Sequence, residues 1–122
     1  MIRHRHIVLA ALLGSAVASA PCLGQQAPYA PIDCAKASNA AETAICGNYD
    51  LGQKEARLAT LYGVLTSLVA MGQRGDINDA QRKWIAVRNA CGSDTRCLAH
   101  AYQTRIGDLS KGFDALAKRG PF

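Results

Sequence analysis

Apolar and polar residues follow one another along this chain with the three- and four-residue spacing of helices. The clearest series begins after Asp50 and contains Leu51, Leu58, Leu61, Tyr62, Leu65, Leu68 and Val69. At 3.6 residues per turn these side chains share one face, which predicts a long amphipathic helix that ends near Ala70. The segment 71–76, which holds Gly72 and Gly75, is predicted as the turn after this helix.

The same spacing predicts three further helices. A short one takes Ser38 or Asn39 as its N-cap, has Glu42 in its first turn, and ends near Cys46. Another runs from about residue 78 to residue 90. The last begins at Ser93 or Asp94 and carries the series Leu98, Tyr102, Ile106, Leu109, Phe113 and Leu116. Since no stretch alternates with the two-residue period of a strand, the predicted fold class is all-α.

The first residues have the pattern of a cleavable export signal. Arg3 and Arg5 precede an apolar run over 7–17, and small residues follow at cleavage spacing. The run of about a dozen residues is shorter than the roughly 20 that cross a hydrocarbon core, so no membrane anchor is expected. The preferred cleavage site follows Gly24, and the alternatives follow Ala18 and Ala20. The predicted divisions are a signal peptide at 1–24, a flexible leader at 25–33, a helical domain at 34–118 and a tail at 119–122.

Cys22 lies close to the predicted cleavage point, where a cysteine raises the question of a lipid anchor. The residues before it are Ser19, Ala20 and Pro21. A lipoprotein signal has an aliphatic residue at the first of these positions and a small one at the last, so Pro21 argues against acylation. The expected product is soluble, in the periplasm or secreted.

Four cysteines remain after the signal and leader: Cys34, Cys46, Cys91 and Cys97. An even set in an exported domain of about a hundred residues favours disulfides, which help a small core. Four cysteines allow three pairings, and the local pairs 34 with 46 and 91 with 97 are preferred because each spans a turn beside a helix end. The full prediction is a small disulfide-stapled bundle of three main helices plus a short N-terminal helix.

Neither a metal, a cofactor nor a nucleic acid is expected as a ligand. The chain has no Cys-x-x-Cys pair, and His100 is the single histidine outside the signal. The formal charge of +5 falls to +3 when Arg3 and Arg5 leave with the signal. The remaining basic residues are interspersed with acidic ones, which is not the clustered pattern of a nucleic-acid interface.

Charged residues occupy positions on the apolar faces of the predicted helices. Arg88 shares a face with Trp84, Arg105 lies between Tyr102 and Leu109, and Glu55 belongs to the stripe of the long helix. Because an unpaired buried charge is costly, Arg88 and Arg105 are predicted to pair with Glu55 and Glu42, with Trp84 or Tyr62 stacked on a guanidinium. The simplest role of such a network is to fix helix register. Alternatively, the long side chains extend to the edge of the core, where their charged ends reach water.

These elements together resemble a known family. The ordered set comprises Asp33-Cys34-Ala35-Lys36-Ala37, Glu42-Thr43-Ala44-Ile45-Cys46, Leu51, Glu55, Leu58, Tyr62, Gln81-Arg82-Lys83-Trp84, Arg88, Cys91, Cys97-Leu98, Tyr102 and Arg105. It resembles the LprI-type lysozyme-inhibitor N-terminal domain family over about residues 33–109. The family usually has aspartate where this chain has Glu55. The resemblance implies a helical bacterial envelope or secreted protein, whose named activity is inhibition of host lysozyme.

Two binding functions and one catalytic function follow as hypotheses. The first is a non-enzymatic protein that inhibits a lysozyme-type muramidase, with the loop Ser93, Asp94, Thr95 and Arg96 as the candidate contact because a disulfide would hold it rigid. The alternative is an envelope structural or protein-interaction module without inhibitory activity. An enzyme is not expected, since His100 has no nucleophile motif nearby and Glu42 and Glu55 are placed for ion pairing.

Overall fold

The computed structural model describes residues 32–120, and the expected signal, Cys22 and most of the leader lie outside this range. A 3-10 turn over Cys34–Lys36 precedes four α-helices. Their bounds are Ala40–Gly47 for α1, Tyr49–Leu68 for α2, Met71–Ala90 for α3 and Thr95–Ala117 for α4. No strand occurs within 32–120. The predicted all-helical, disulfide-stapled bundle is confirmed.

Short polar side chains fix where three of the helices begin. Asn39 accepts a hydrogen bond from the backbone N–H of Glu42, and Asn48 accepts one from that of Leu51. Asp94 caps α4 by accepting from the N–H groups of residues 96 and 97, at 2.9 and 3.1 Å. Each cap satisfies amides that the first helical turn leaves without a carbonyl partner.

The predicted turn at 71–76 is wrong, because α3 begins at Met71 rather than near Asn78. Only Val69 and Ala70 separate α2 from α3, and the Ala70 carbonyl accepts the N–H of Arg74 at 2.9 Å. Gly72 and Gly75 lower helix propensity by about 1 kcal/mol each relative to alanine, but they do not forbid a helix. The first two turns of α3 are largely exposed, so the polar residues of this segment contact water on the surface of a helix.

The helices α2 and α4 form the main interhelical contact and run in the same direction. Glu55 meets Tyr102, and ten residues further along both helices Leu65 meets Gly112. Helix α3 runs the opposite way, since Gln81 and Trp84 reach Arg105 and Ala101 respectively. The core between the helices contains Ala41, Ile45, Leu51, Leu58, Leu65, Trp84, Leu98, Tyr102, Leu109 and Leu116.

Both disulfides join residues that are close in sequence. Cys34 bonds Cys46 and Cys91 bonds Cys97, with Cα separations of 5.7 and 5.6 Å. The first disulfide ties the 3-10 turn to the end of α1, and the second closes the turn between α3 and α4. Ile32, at the end of the expected leader, packs against the core.

Candidate functional site

A polar cluster lies inside the bundle where all four helices meet. The hydroxyl of Tyr102 on α4 donates a hydrogen bond to Glu55 Oε2 on α2 at 2.6 Å. Arg88 on α3 places Nη1 4.0 Å from the same carboxylate and Nη2 3.4 Å from Glu42 Oε1 on α1. Three of these four residues are buried. The cluster therefore links one side chain from every helix.

Trp84 and Asn89 complete the surroundings of Arg88. The indole N–H of Trp84 donates to the Ala101 carbonyl at 2.9 Å, and its ring lies 5.5 Å from the Arg88 guanidinium carbon. Asn89 Oδ1 accepts from Nη2 and Nε of Arg88 at 2.8 and 3.0 Å. Arg88 thus has carboxylate, amide and aromatic partners, as a buried guanidinium requires.

The surroundings of Tyr102 and Glu42 shift the pKa values of both side chains. Burial, together with the nearby negative charge of Glu55, raises the pKa of Tyr102 well above the usual tyrosine value. Hydrogen bonding from the Ser38 backbone N–H, assisted by the Ser38 hydroxyl, lowers the pKa of Glu42. Near neutral pH Tyr102 is a protonated donor and Glu42 is an anion. This arrangement can hold the helices in register.

Arg105 does not join this cluster. Its Nε donates to Gln81 Oε1 at 3.0 Å, and Nη2 donates to the Ile77 carbonyl at 3.2 Å. The expected pairing of Arg105 with Glu55 or Glu42 is therefore wrong. Residue 105 lies almost a full helical turn beyond Tyr102, and its guanidinium reaches α3 near Gln81 instead of Glu42 on α1 or Glu55 on α2.

The candidate contact loop is a tight turn that passes directly into α4. Gly92 has a φ of 56°, which an L side chain rarely adopts, and Asp94 is the N-cap. Thr95 and Arg96 belong to the first turn of α4. All four residues from Ser93 to Arg96 are exposed, and the disulfide between residues 91 and 97 closes the turn.

An apolar groove beside this turn was missed in the sequence. It lies between α3 and α4, has a volume of about 440 Å³, and is lined by Trp84, Val87, Ala90, Cys97, His100 and Thr104. Val87 is 61% exposed although it is aliphatic. The signal in the sequence is the spacing of three between Trp84, Val87 and Ala90, which places an apolar strip next to the buried face.

Within 32–120, no three His, Cys, Asp or Glu side chains are grouped to hold a metal ion. None of the helices in that range is both long and apolar enough to cross a membrane. His100 is exposed on α4.

The fold and its buried cluster define a class of small helical domains closed by local disulfides and tied internally by an ion pair. Within that class the chain belongs to the LprI family, because the family model described as Lysozyme inhibitor LprI matches residues 34–109. The resemblance drawn from the cysteine, glutamate, tryptophan and arginine positions is thereby confirmed.

Named relatives come from mycobacteria. Proteins called Lipoprotein LprI from Mycobacterium bovis and Mycobacterium tuberculosis are 30% identical to this chain over 109 residues, covering 85% of it and 54% of the relative. The chain thus spans about half the length of these curated relatives. No solved structure matches it.

Proposed function

We propose that this protein is an exported, non-enzymatic binding protein that inhibits a lysozyme-type muramidase. The observation that carries the proposal is the match of residues 34–109 to the lysozyme-inhibitor family. The closed, fully partnered cluster around Arg88 is consistent with a scaffold role for the interior. Surface residues would then make the contacts with the partner.

The proposed contact surface, called here the 91–97 face, combines the turn Ser93–Arg96 with the apolar groove beside it. The disulfide between Cys91 and Cys97 restricts the turn before binding, which lowers the ordering cost of association. Val87 offers exposed aliphatic area next to the turn. Rigid polar groups beside an apolar depression are the usual composition of a protein-binding centre.

The charges of this face act at short range. A mature chain at +3 and a basic lysozyme repel one another at a distance, so electrostatic steering does not drive their encounter. Asp94 uses one carboxylate oxygen, Oδ1, for both capping bonds. Its negative charge remains on the exposed turn, where it can meet a cationic group of the enzyme after docking.

A turbidity assay tests the proposal. The purified mature protein is added in increasing molar excess to a c-type lysozyme that is clearing a suspension of bacterial cell walls. We expect clearing to slow in proportion to the inhibitor added. If clearing proceeds unchanged at large excess, the inhibitor hypothesis is wrong, and the alternative of an envelope interaction module without inhibitory activity takes its place.

Variants of exposed valines locate the surface. Val87→Glu places a charge in the apolar groove and is expected to abolish inhibition, while Val64→Glu on α2 serves as a matched control that should inhibit normally. Both side chains are exposed, so both variants should fold, which circular dichroism checks. Equal inhibition by the two variants would exclude the 91–97 face.

We also propose that the mature protein carries no lipid, although its named relatives are called lipoproteins. The proposal rests on Pro21 immediately before Cys22. Intact-mass measurement of the exported product should give an unmodified chain that begins after Gly24. A mass increased by fatty acyl groups on Cys22 would overturn it.

A further inference from the structure

A second apolar groove lies away from the 91–97 face, between the start of α3 and the C-terminal half of α4. Its volume is about 330 Å³, and its walls are formed chiefly by Leu65, Val69, Ile77, Ala80, Leu109 and Ala115. Its lining residues run from Arg105 on α4 to Arg119, which lies two residues beyond the end of that helix. The groove therefore has mainly apolar walls.

One end of this groove holds a buried positive charge that lacks a close carboxylate. Arg105 is only 7% exposed, yet both of its hydrogen bonds go to neutral acceptors, on Gln81 and Ile77. No carboxylate oxygen of residues 32–120 lies within 4.0 Å of its nitrogens. Arg88, which is equally buried, has two carboxylates at or within that distance.

Such a charge is costly to bury, and the neighbouring groups relieve the cost only in part. Burial lowers the pKa of Arg105, whereas the charge of Asp108 opposes that shift. Asp108 is exposed to water on the rim of the groove, so its field at the guanidinium is weakened by solvent. A structural arginine would be better placed against a buried carboxylate, as Arg88 is.

We propose that this groove binds a small monocarboxylate with an unbranched apolar chain, its carboxylate on Arg105 and its chain along α4 towards Arg119. A guanidinium pairs with a carboxylate through parallel N–H bonds, and the ligand would supply the missing counter-ion. The volume falls at the lower end of the range for small-molecule sites, and apolar walls with one charged group are their usual composition.

The walls favour an aliphatic chain over an extended peptide. Beyond the first turn of α3, the walls are helical segments whose backbone N–H and C=O groups are paired within each helix, so an extended peptide would find few main-chain partners along them. Apart from Arg105, the polar side chains that line the groove are exposed to solvent, namely Gln73, Asp76, Asp108 and Arg119. An aliphatic chain needs no such partners.

Titration with decanoate, below its micelle concentration, tests the proposal on the folded mature protein. Binding is followed by calorimetry and by the NMR signal of the Arg105 Nε–H group. We expect saturable binding that shifts this signal, while decanol and decyltrimethylammonium bind at least tenfold more weakly. Equal binding of decanol, no binding of decanoate, or binding only of peptides through their C-terminal carboxylate would each overturn the proposal.

Three variants separate the role of Arg105 from a general effect of charge. Arg105→Gln should weaken decanoate binding tenfold or more, whereas Arg57→Gln removes an exposed charge from α2 and should leave it unchanged. Asp108→Asn removes the competing carboxylate and should strengthen binding severalfold. If Arg105→Gln binds decanoate as the unaltered protein does, the guanidinium is not the anchor and the proposal fails.

The stability of the ligand-free protein gives a second readout. If Arg105 is kept for a ligand, Arg105→Met should unfold at the same or a higher temperature, since it replaces an unpaired buried charge by an apolar side chain of similar length. A clear loss of thermal stability, together with unchanged decanoate binding by Arg105→Gln, would assign Arg105 to the scaffold.

Discussion

Tyr102 donates a hydrogen bond of 2.6 Å to Glu55, and this contact joins two helices that run in the same direction. The two residues are 47 positions apart, so the bond forms only when α2 and α4 have packed in their native register. Shifting either helix by one residue would turn one partner by about 100° away from the interface. The bond therefore selects one register among those that the apolar stripes alone would permit.

Removing the phenolic hydroxyl should destabilise the fold. Tyr102→Phe deprives a buried carboxylate of its donor and is expected to lower the free energy of unfolding by about 1–3 kcal/mol. Urea denaturation followed by tryptophan fluorescence measures this change, since Trp84 is the single tryptophan and its ring lies 5.2 Å from that of Tyr102.

A double-mutant cycle with Glu55→Gln isolates the interaction itself. If the hydrogen bond is responsible, the double variant should be less destabilised than the two single changes together suggest, by about 1 kcal/mol. Strict additivity of the two changes would mean that Tyr102 and Glu55 act independently.

Protonation of the Glu42 carboxylate in acid should lower the free energy of unfolding. Its folded-state pKa lies below the ordinary value of 4.5, mainly because the Ser38 backbone N–H binds the anion. A lowered folded-state pKa gives stability that is fully present above pH 4.5 and is lost as the pH falls through the folded-state value. Glu42→Gln should therefore melt at a lower temperature than the unaltered protein at pH 7.

The same comparison at lower pH provides the check on Glu42. The difference in melting temperature should shrink as the pH falls below 4.5 and vanish once Glu42 is protonated in both states. Asp114→Asn, an exposed change on α4, serves as a control for net charge. A difference between Glu42→Gln and the unaltered protein that is constant from pH 7 to pH 3 would rule out this source of stability.

The two disulfides should contribute unequal amounts of stability. Cys34 and Cys46 are 12 residues apart, and Cys91 and Cys97 are six apart. In the chain-entropy description, a disulfide that closes a longer loop removes more conformational freedom from the unfolded chain. Replacing both cysteines of a pair by serine should therefore lower the free energy of unfolding by about 3 kcal/mol for the first pair and about 2 kcal/mol for the second. Urea denaturation of the two double variants measures this order, and the reverse order would show that packing outweighs loop entropy.

The pairing of Arg88 with Glu55 can be predicted from the sequence because each residue's position on the apolar face of its helix is visible in the spacing within that helix. Arg88 and Glu55 each occupy an apolar stripe, and a buried charge needs a partner. Arg105 satisfies the same rule, yet its partner is an amide and a carbonyl on α3. Which acceptor an arginine reaches depends on the depth and direction of neighbouring helices, and helical periodicity carries no information about either.

The start of α3 illustrates a second limit. Two glycines and several polar residues favour a turn when only residues 71–76 are considered. In the folded chain this segment continues into a helix that packs against α4, and tertiary packing outweighs the small local penalties. The grooves, which lie between helices, likewise require the relative positions of α3 and α4.

The last prediction separates the two properties of Asp94, its capping bonds and its charge. Asp94→Ala removes both and should lower the melting temperature, because the N–H groups of residues 96 and 97 lose their acceptor. Asp94→Asn keeps a side-chain oxygen for the cap and removes the charge, so it should melt close to the unaltered protein. If the charge contacts the enzyme, Asp94→Asn should inhibit the muramidase more weakly than the unaltered protein does, even though the two melt at similar temperatures. Full inhibition by the folded Asp94→Asn variant would limit Asp94 to capping α4, and the 91–97 face would then bind through its apolar groove alone.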